Sequence, residues 1–126
     1  MQADPQSPMD TKQPNTPSGQ NDVVRTTAKN CSEMAEVRYE IDRLDRVLVK
    51  LLAERQGYIE AAGRIKPRAD EVRLSWRIED VVAKVLDAAA QEGLSKRIAE
   101  PVWRELIDRC IDHEHEIWAD EHPEEK

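Results

Sequence analysis

From Ser32 onward the chain sets apolar residues at helical spacing. Val37, Ile41, Leu44, Leu48, Leu51, Arg55, Tyr58, Ala62 and Ile65 follow one another at alternating steps of four and three. That is the heptad pattern of one long amphipathic helix with a packing seam. Ser32 is placed to cap it, Glu33 and Glu36 suit its first turn, and Pro67 ends it just after Lys66. A second helix is predicted over Ser75–Glu92. Its apolar face is Ile78, Val81, Val82, Val85, Leu86 and Ala89, and Gly93 is suited to the position just past its end. Ser95 is a candidate cap for a third helix. Pro101 falls inside its opening turns, which predicts a kink or a late start near Ala99. The seam of that helix reads Trp103, Ile107, Cys110, Glu114, Ile117. The fold class is all-α, with three helices per chain.

The length of the first helix has a consequence. About 34 residues rise roughly 50 Å, whereas a compact domain of about 95 residues is roughly 30 Å across. Such a helix overhangs a monomeric fold, and an overhanging apolar seam needs a partner. A symmetric homodimer is the commonest solution.

Composition trims this picture at both ends. Residues 1–30 hold Pro5, Pro8, Pro14 and Pro17 among many Gln, Asn, Ser and Thr, too little apolar surface to offset the entropy of ordering, so a disordered tail is expected. The helical domain is expected over 31–120, followed by an acidic C-terminal tail, 121–126. The formal net charge is -7, which argues against duplex nucleic acid and anionic membranes as partners. Cys31 and Cys110 lack metal-ligand spacing and read as free thiols in a reducing compartment. There is no apolar leader and no run near the roughly 20 residues of a membrane span, so a cytoplasmic protein is expected.

Two charges interrupt the seams. Arg55 sits between Leu51 and Tyr58, and Glu114 between Cys110 and Ile117. A buried charge is costly unless paired. The simplest account pairs the two, or lets Arg55 reach the surface along its alkyl stem. Lys66 changes the balance. Eleven residues after Arg55, it lies within about 20° of the same face and roughly 16 Å along the axis. Ala62 and Gly63 between them are small and leave room for a ligand. Arg77 opens the second helix and could complete a cationic pocket. Two or three cations against one Glu suit a small anion with more than one negative group. Arg38 lies about 100° from Arg55 around the helix. It cannot join that pocket in one straight helix, but could enter a partner's.

Other clusters carry less. Asp112, His113, Glu114 and His115 are dense in potential ligands, yet His113 and His115 are two apart and diverge on a helix. No metal is expected. Trp76, Trp103 and Trp118 read as core or rim packing, with Trp76 a candidate for the site entrance.

The run E-V-R-Y-E-I-D-R-L-D-R-V-L-V-K-L-L-A-E-R (Glu36 to Arg55), then A-A-G-R-I-K (Ala61 to Lys66) and R-I-E-D-V-V-A-K-V-L (Arg77 to Leu86), resembles the all-helical chorismate mutases. The resemblance spans roughly residues 34–118. It implies three helices per chain interlocked in an intertwined homodimer with two equivalent sites, a chorismate substrate, and no cofactor. It implies that Arg38 is donated to the partner's site and that Arg55 binds a substrate carboxylate. Lys66 would contact the ether oxygen and a carboxylate, Arg77 would stand at the start of the second helix, and Glu114 would lie near the ether oxygen. Leu74 and Ile78 fall where acidic residues often hold the ring hydroxyl, and Cys110 where a Ser can contact a carboxylate. The apolar Ile78 also looks like the isochorismate pyruvate lyase and aminodeoxychorismate mutase branches. The implied reaction is the Claisen rearrangement of chorismate to prephenate, with Lys66, Glu114 and Arg55 as its catalytic residues. Alternatives are the lyase or amino-analogue activities on the same fold and, from another class, a non-catalytic helical dimerisation module.

Overall fold

A computed structural model describes residues 23–125. Most of the expected N-terminal tail, residues 1–22, lies outside the described residues. The described chain is all-α. Its helices are α1 (Met34–Ile65), α2 (Ser75–Glu92) and α3 (Lys96–Glu121), with short 3-10 turns at Ala28–Asn30, Ala69–Glu71 and Pro123–Glu125. It divides into two compact units, one ending at Ala53 and the other running from Glu54 onward.

In the first unit the stretch expected to belong to the tail carries structure from Val23. Glu40, a buried carboxylate on α1, accepts the backbone N–H groups of Arg25 and Thr26, each at 2.8 Å, and the Nε of Arg43 at 2.7 Å. The Arg25 guanidinium lies 3.9 Å over the Tyr39 ring, and the Tyr39 hydroxyl donates to the Val23 carbonyl at 3.2 Å. Burial pushes the Glu40 carboxyl up, but the Arg43 guanidinium and the two N–H groups outweigh it and hold the group below its ordinary value. The start of α1 is fixed from inside the helix. Glu36 reaches back to the N–H groups of Ser32 (2.8 Å) and Glu33 (3.0 Å), the returning half of a capping box. Those two bonds lower the Glu36 carboxyl. Of the α1 seam, Ile41, Leu44, Leu48 and Leu51 stay about half exposed within the single chain.

The second unit holds the core. Val72, Val82, Ile107, Ile111 and Trp118 are buried together, with Ile78, Val81 and Leu86 packed against them. The helical periodicity of α2 and α3 puts all of these but Val72, which follows the Ala69–Glu71 turn, on facing stripes. Gly93 ends α2 with φ 79°, a left-handed conformation that only glycine adopts without strain, and the N–H groups of Gly93 and Leu94 close back on the Ala89 carbonyl. Ser95 caps α3 by accepting the Arg97 N–H at 3.2 Å. The expected late start near Ala99 is corrected: α3 begins at Lys96 and runs through Pro101. The proline removes one hydrogen bond, to the Arg97 carbonyl. Arg97 and Pro101 are both exposed, so water can serve that carbonyl. At its other end α3 extends to Glu121, and His122 stacks on Trp118 with ring centroids 4.2 Å apart.

Candidate active site

A cavity of about 500 Å³ opens in the second unit. The final turns of α1 contribute Arg55, Tyr58, Ile59, Ala62 and, just beyond the helix, Lys66; α3 contributes Ile107, Cys110, Ile111 and Glu114; and Val72 to Val81 close the remaining side. Arg55 and Lys66 reach the same cavity because eleven residues bring an α-helix almost back to one face.

Glu114 is the most buried of the polar groups lining the cavity. Its side chain is 5% exposed, against 26% for Lys66, whose Nζ lies 2.7 Å from Glu114 Oε2. The distance makes an ion pair, but the approach lies off the line of a hydrogen bond, so Oε2 has no hydrogen-bonded donor. A buried carboxylate oxygen left this way is costly, and it borders a cavity in which a ligand could supply the missing donor. Arg55 donates from Nη1 to the Cys110 thiol at 3.2 Å. Sulfur is a weak acceptor, so an incoming carboxylate could replace it with a stronger, charge-assisted bond. The two seam charges are therefore not each other's partners. Arg77 lines the cavity from the α2 side, with its guanidinium more than half exposed and paired to Asp80 at 2.6 Å. Lys84, then Arg77, hold the Asp80 carboxyl below its ordinary value.

Besides the Arg55–Cys110 bond, four ties hold α1 against α3 around this site. Lys66–Glu114 is one. The Trp118 indole donates to the Lys66 carbonyl at 2.9 Å. His113 Nε2 pairs with Glu60 Oε2 at 2.7 Å, and His113, with help from Gln56, lowers the Glu60 carboxyl. The fourth is steric. Gly63 is buried, and a Cβ placed there would stand 2.9 Å from Ile117 Cγ2 and 3.1 Å from the Glu114 carbonyl oxygen. This corrects one sequence reading: Gly63 permits close helix packing, and only Ala62 leaves ligand space.

Residues 37–115 match the family model described as Chorismate mutase type II. The chain belongs to this all-helical chorismate mutase family. It is also 26% identical over 92 residues to isochorismate pyruvate lyase from Pseudomonas aeruginosa, an alignment covering 73% of this chain and 91% of that protein.

In this member of the chorismate mutase family, Arg55, Lys66, Leu74, Arg77, Ile78, Cys110 and Glu114, all singled out from sequence, line one cavity. Arg38 lies in the first unit, is exposed, and lines no part of that cavity. Among the described residues no group of three or more His, Cys, Asp or Glu is placed to hold a metal. No helix of the described residues is long and apolar enough to cross a membrane. Sequence reasoning missed the Glu60–His113 pair and the Trp118–Lys66 bond. Both join residues more than 50 positions apart, and no local pattern announces them. Trp76, read as an entrance residue, does line the cavity and is 68% exposed.

Proposed function

We propose that this protein is a chorismate mutase, converting chorismate to prephenate by a Claisen rearrangement. The observation that carries the reading is the Lys66–Glu114 pair, with Arg55 beside it, on the wall of a cavity sized for a small molecule. The reaction breaks one C–O bond and forms one C–C bond within a single molecule. It needs no nucleophile, so the protein must restrain a flexible dianion with its reacting carbons close together. It must also stabilise the negative charge that develops on the ether oxygen. Arg55 takes one carboxylate, exchanging the Cys110 sulfur for a charged acceptor. Lys66 turns from Glu114 to the ether oxygen and the second carboxylate. Glu114, once protonated, donates from the other side. Arg77 adds positive potential at the mouth.

The site is completed by a second copy of the chain. Support comes from the half-exposed seam of α1 and from Tyr58, 71% exposed at the edge of the cavity. In an intertwined homodimer the seam is covered, and Arg38 of one protomer enters its partner's site. Such a protein works in the cytoplasm, in chorismate metabolism.

A second reading is isochorismate pyruvate lyase, favoured by the similarity to the Pseudomonas aeruginosa enzyme and by the apolar Ile78. The same cations would hold the substrate while its ether C–O bond breaks and a ring hydrogen passes to the enolpyruvyl methylene carbon, giving pyruvate and an aromatic hydroxybenzoate. Incubating the purified protein with chorismate, isochorismate and aminodeoxychorismate decides between them. Prephenate from chorismate supports the mutase. Pyruvate released from isochorismate, with chorismate unchanged, supports the lyase. No turnover of any of the three, in a protein that is folded and dimeric, leaves a dimerisation module.

A further inference from the structure

The cavity has two unlike sides. Its buried or half-buried polar groups come from α1 and α3, as Arg55 and Lys66 face Cys110 and Glu114. The stretch from Val72 through the first turns of α2 contributes Val72, Leu74, Trp76, Arg77, Ile78 and Val81. None of these side chains accepts a hydrogen bond, since Trp and Arg carry donors only and the rest are hydrocarbon. Leu74, Ile78 and Val81 follow at steps of four and three and share one stripe. Val72, Ile107 and Ile111 continue the hydrocarbon surface into the core. The one carboxyl group among the lining residues, that of Glu114, stands on the opposite side with Lys66 at 2.7 Å.

We infer that the site recognises a small cyclic dicarboxylate by its charged end and leaves unread any hydroxyl on the ring edge facing Leu74, Ile78 and Val81. The inference rests on the reading above and narrows its substrate class. A site built to hydrogen-bond a hydroxyl rejects the analogue that lacks it, because a buried protein group is then left without a partner. Here the edge facing Leu74, Ile78 and Val81 meets hydrocarbon, and the two donors on that side, Trp76 and Arg77, are more than half exposed, so deleting the hydroxyl leaves no buried group without a partner. The hydroxyl itself gives up water and gains no acceptor. Selection among ring-substituted relatives of one substrate is correspondingly weak, and the dicarboxylate end dominates affinity.

The test uses an oxabicyclic dicarboxylate transition-state analogue, prepared with and without its ring hydroxyl. Both are titrated against the purified full-length protein by ligand-induced thermal stabilisation. The deoxy compound is expected to bind between equally and roughly tenfold more tightly than its parent. Ile78→Asp supplies an acceptor and should shift the ratio about tenfold toward the hydroxylated compound; Leu74→Asn does the same from the neighbouring position should the first variant not fold. A wild-type preference of tenfold or more for the hydroxylated compound overturns the inference while leaving the enzyme assignment intact. A ratio that moves in neither variant also overturns it. Binding of neither compound overturns the enzyme reading, and this inference with it.

Discussion

The contrast between Gly57 and Gly63 gives a sharp test of how α1 meets α3. Both glycines lie inside α1, and replacing either with Ala gains the same helix propensity, about 1 kcal/mol. Their surroundings differ. Nothing lies within 4 Å of a Cβ at Gly57, whereas one at Gly63 would stand 2.9 Å from Ile117 Cγ2, 3.0 Å from Ile117 Cβ and 3.1 Å from the Glu114 carbonyl oxygen. The obstructing atoms are a β-branched side chain and a backbone oxygen, so no flexible tip can swing clear and the helices must separate. Forcing a methyl into a packed contact costs about 1–3 kcal/mol. The propensity gains cancel in the comparison. Gly63→Ala should therefore be less stable than Gly57→Ala by about 1–3 kcal/mol, a gap of at least about 4 °C in Tm for a chain of this size. Thermal denaturation at one fixed protein concentration measures it, and Gly63→Ala should also lose activity as Lys66 and Glu114 move apart. Equal stability of the two variants would refute the packing argument.

Further outcomes follow from the same geometry. Lys66→Ala should lower kcat/KM by a factor of at least about 100, the scale of a lost transition-state donor, while gel filtration shows an unchanged assembly; a fully active variant removes the proposed mechanism. Glu114→Gln keeps the shape and supplies an amide N–H donor, so it should stay active, whereas Glu114→Leu, with no donor, should lose a factor of about 100 or more in kcat/KM; a fully active Leu variant contradicts the donor role. Trp118→Phe deletes the bond to the Lys66 carbonyl and should cost at least about 1 kcal/mol in urea denaturation, with a larger loss in kcat than in dimerisation. The Glu40 carboxyl is held below its ordinary value by Arg43 and the Arg25 and Thr26 N–H groups, against the upward push of burial. Its contribution is present in full above the unfolded carboxylate value of about 4.3 and is withdrawn as the pH falls through the lower folded value. Amide exchange at Arg25 and Thr26 should accelerate in that acid range, and in Glu40→Gln already at neutral pH.

Much of the helical framework was legible because it is local. Gly93, Ser95 and Pro67 mark ends by rules acting over one turn, and the spacing that brings Arg55 and Lys66 to one cavity is a property of a single helix. The errors have a common cause in tertiary packing. Pro101 predicts a kink or a late start because its cost is local, but the exposure of Arg97 lets solvent absorb that cost, and α3 starts at Lys96. Gly63 was read as ligand space, and only the position of Ile117 reveals a helix contact. For the two seam charges the sequence leaves mutual pairing open beside a pocket shared with Lys66; the structure gives Glu114 to Lys66 and Arg55 to Cys110. The bonds of Glu40 to Arg25 and Thr26 were invisible for a related reason, since a side chain that caps distant backbone leaves no mark in the sequence between them.

The Trp118 indole does more than fill the core. It serves a carbonyl that the end of α1 leaves over at Lys66, just before Pro67 interrupts the chain. The connecting segment that follows is then relieved of the duty of anchoring the ammonium. Arg68, Ala69 and Asp70, all exposed, form a span where insertions, deletions or a grafted peptide should be tolerated with the cation still at its post, and a natural place to re-engineer the protein without retuning its chemistry.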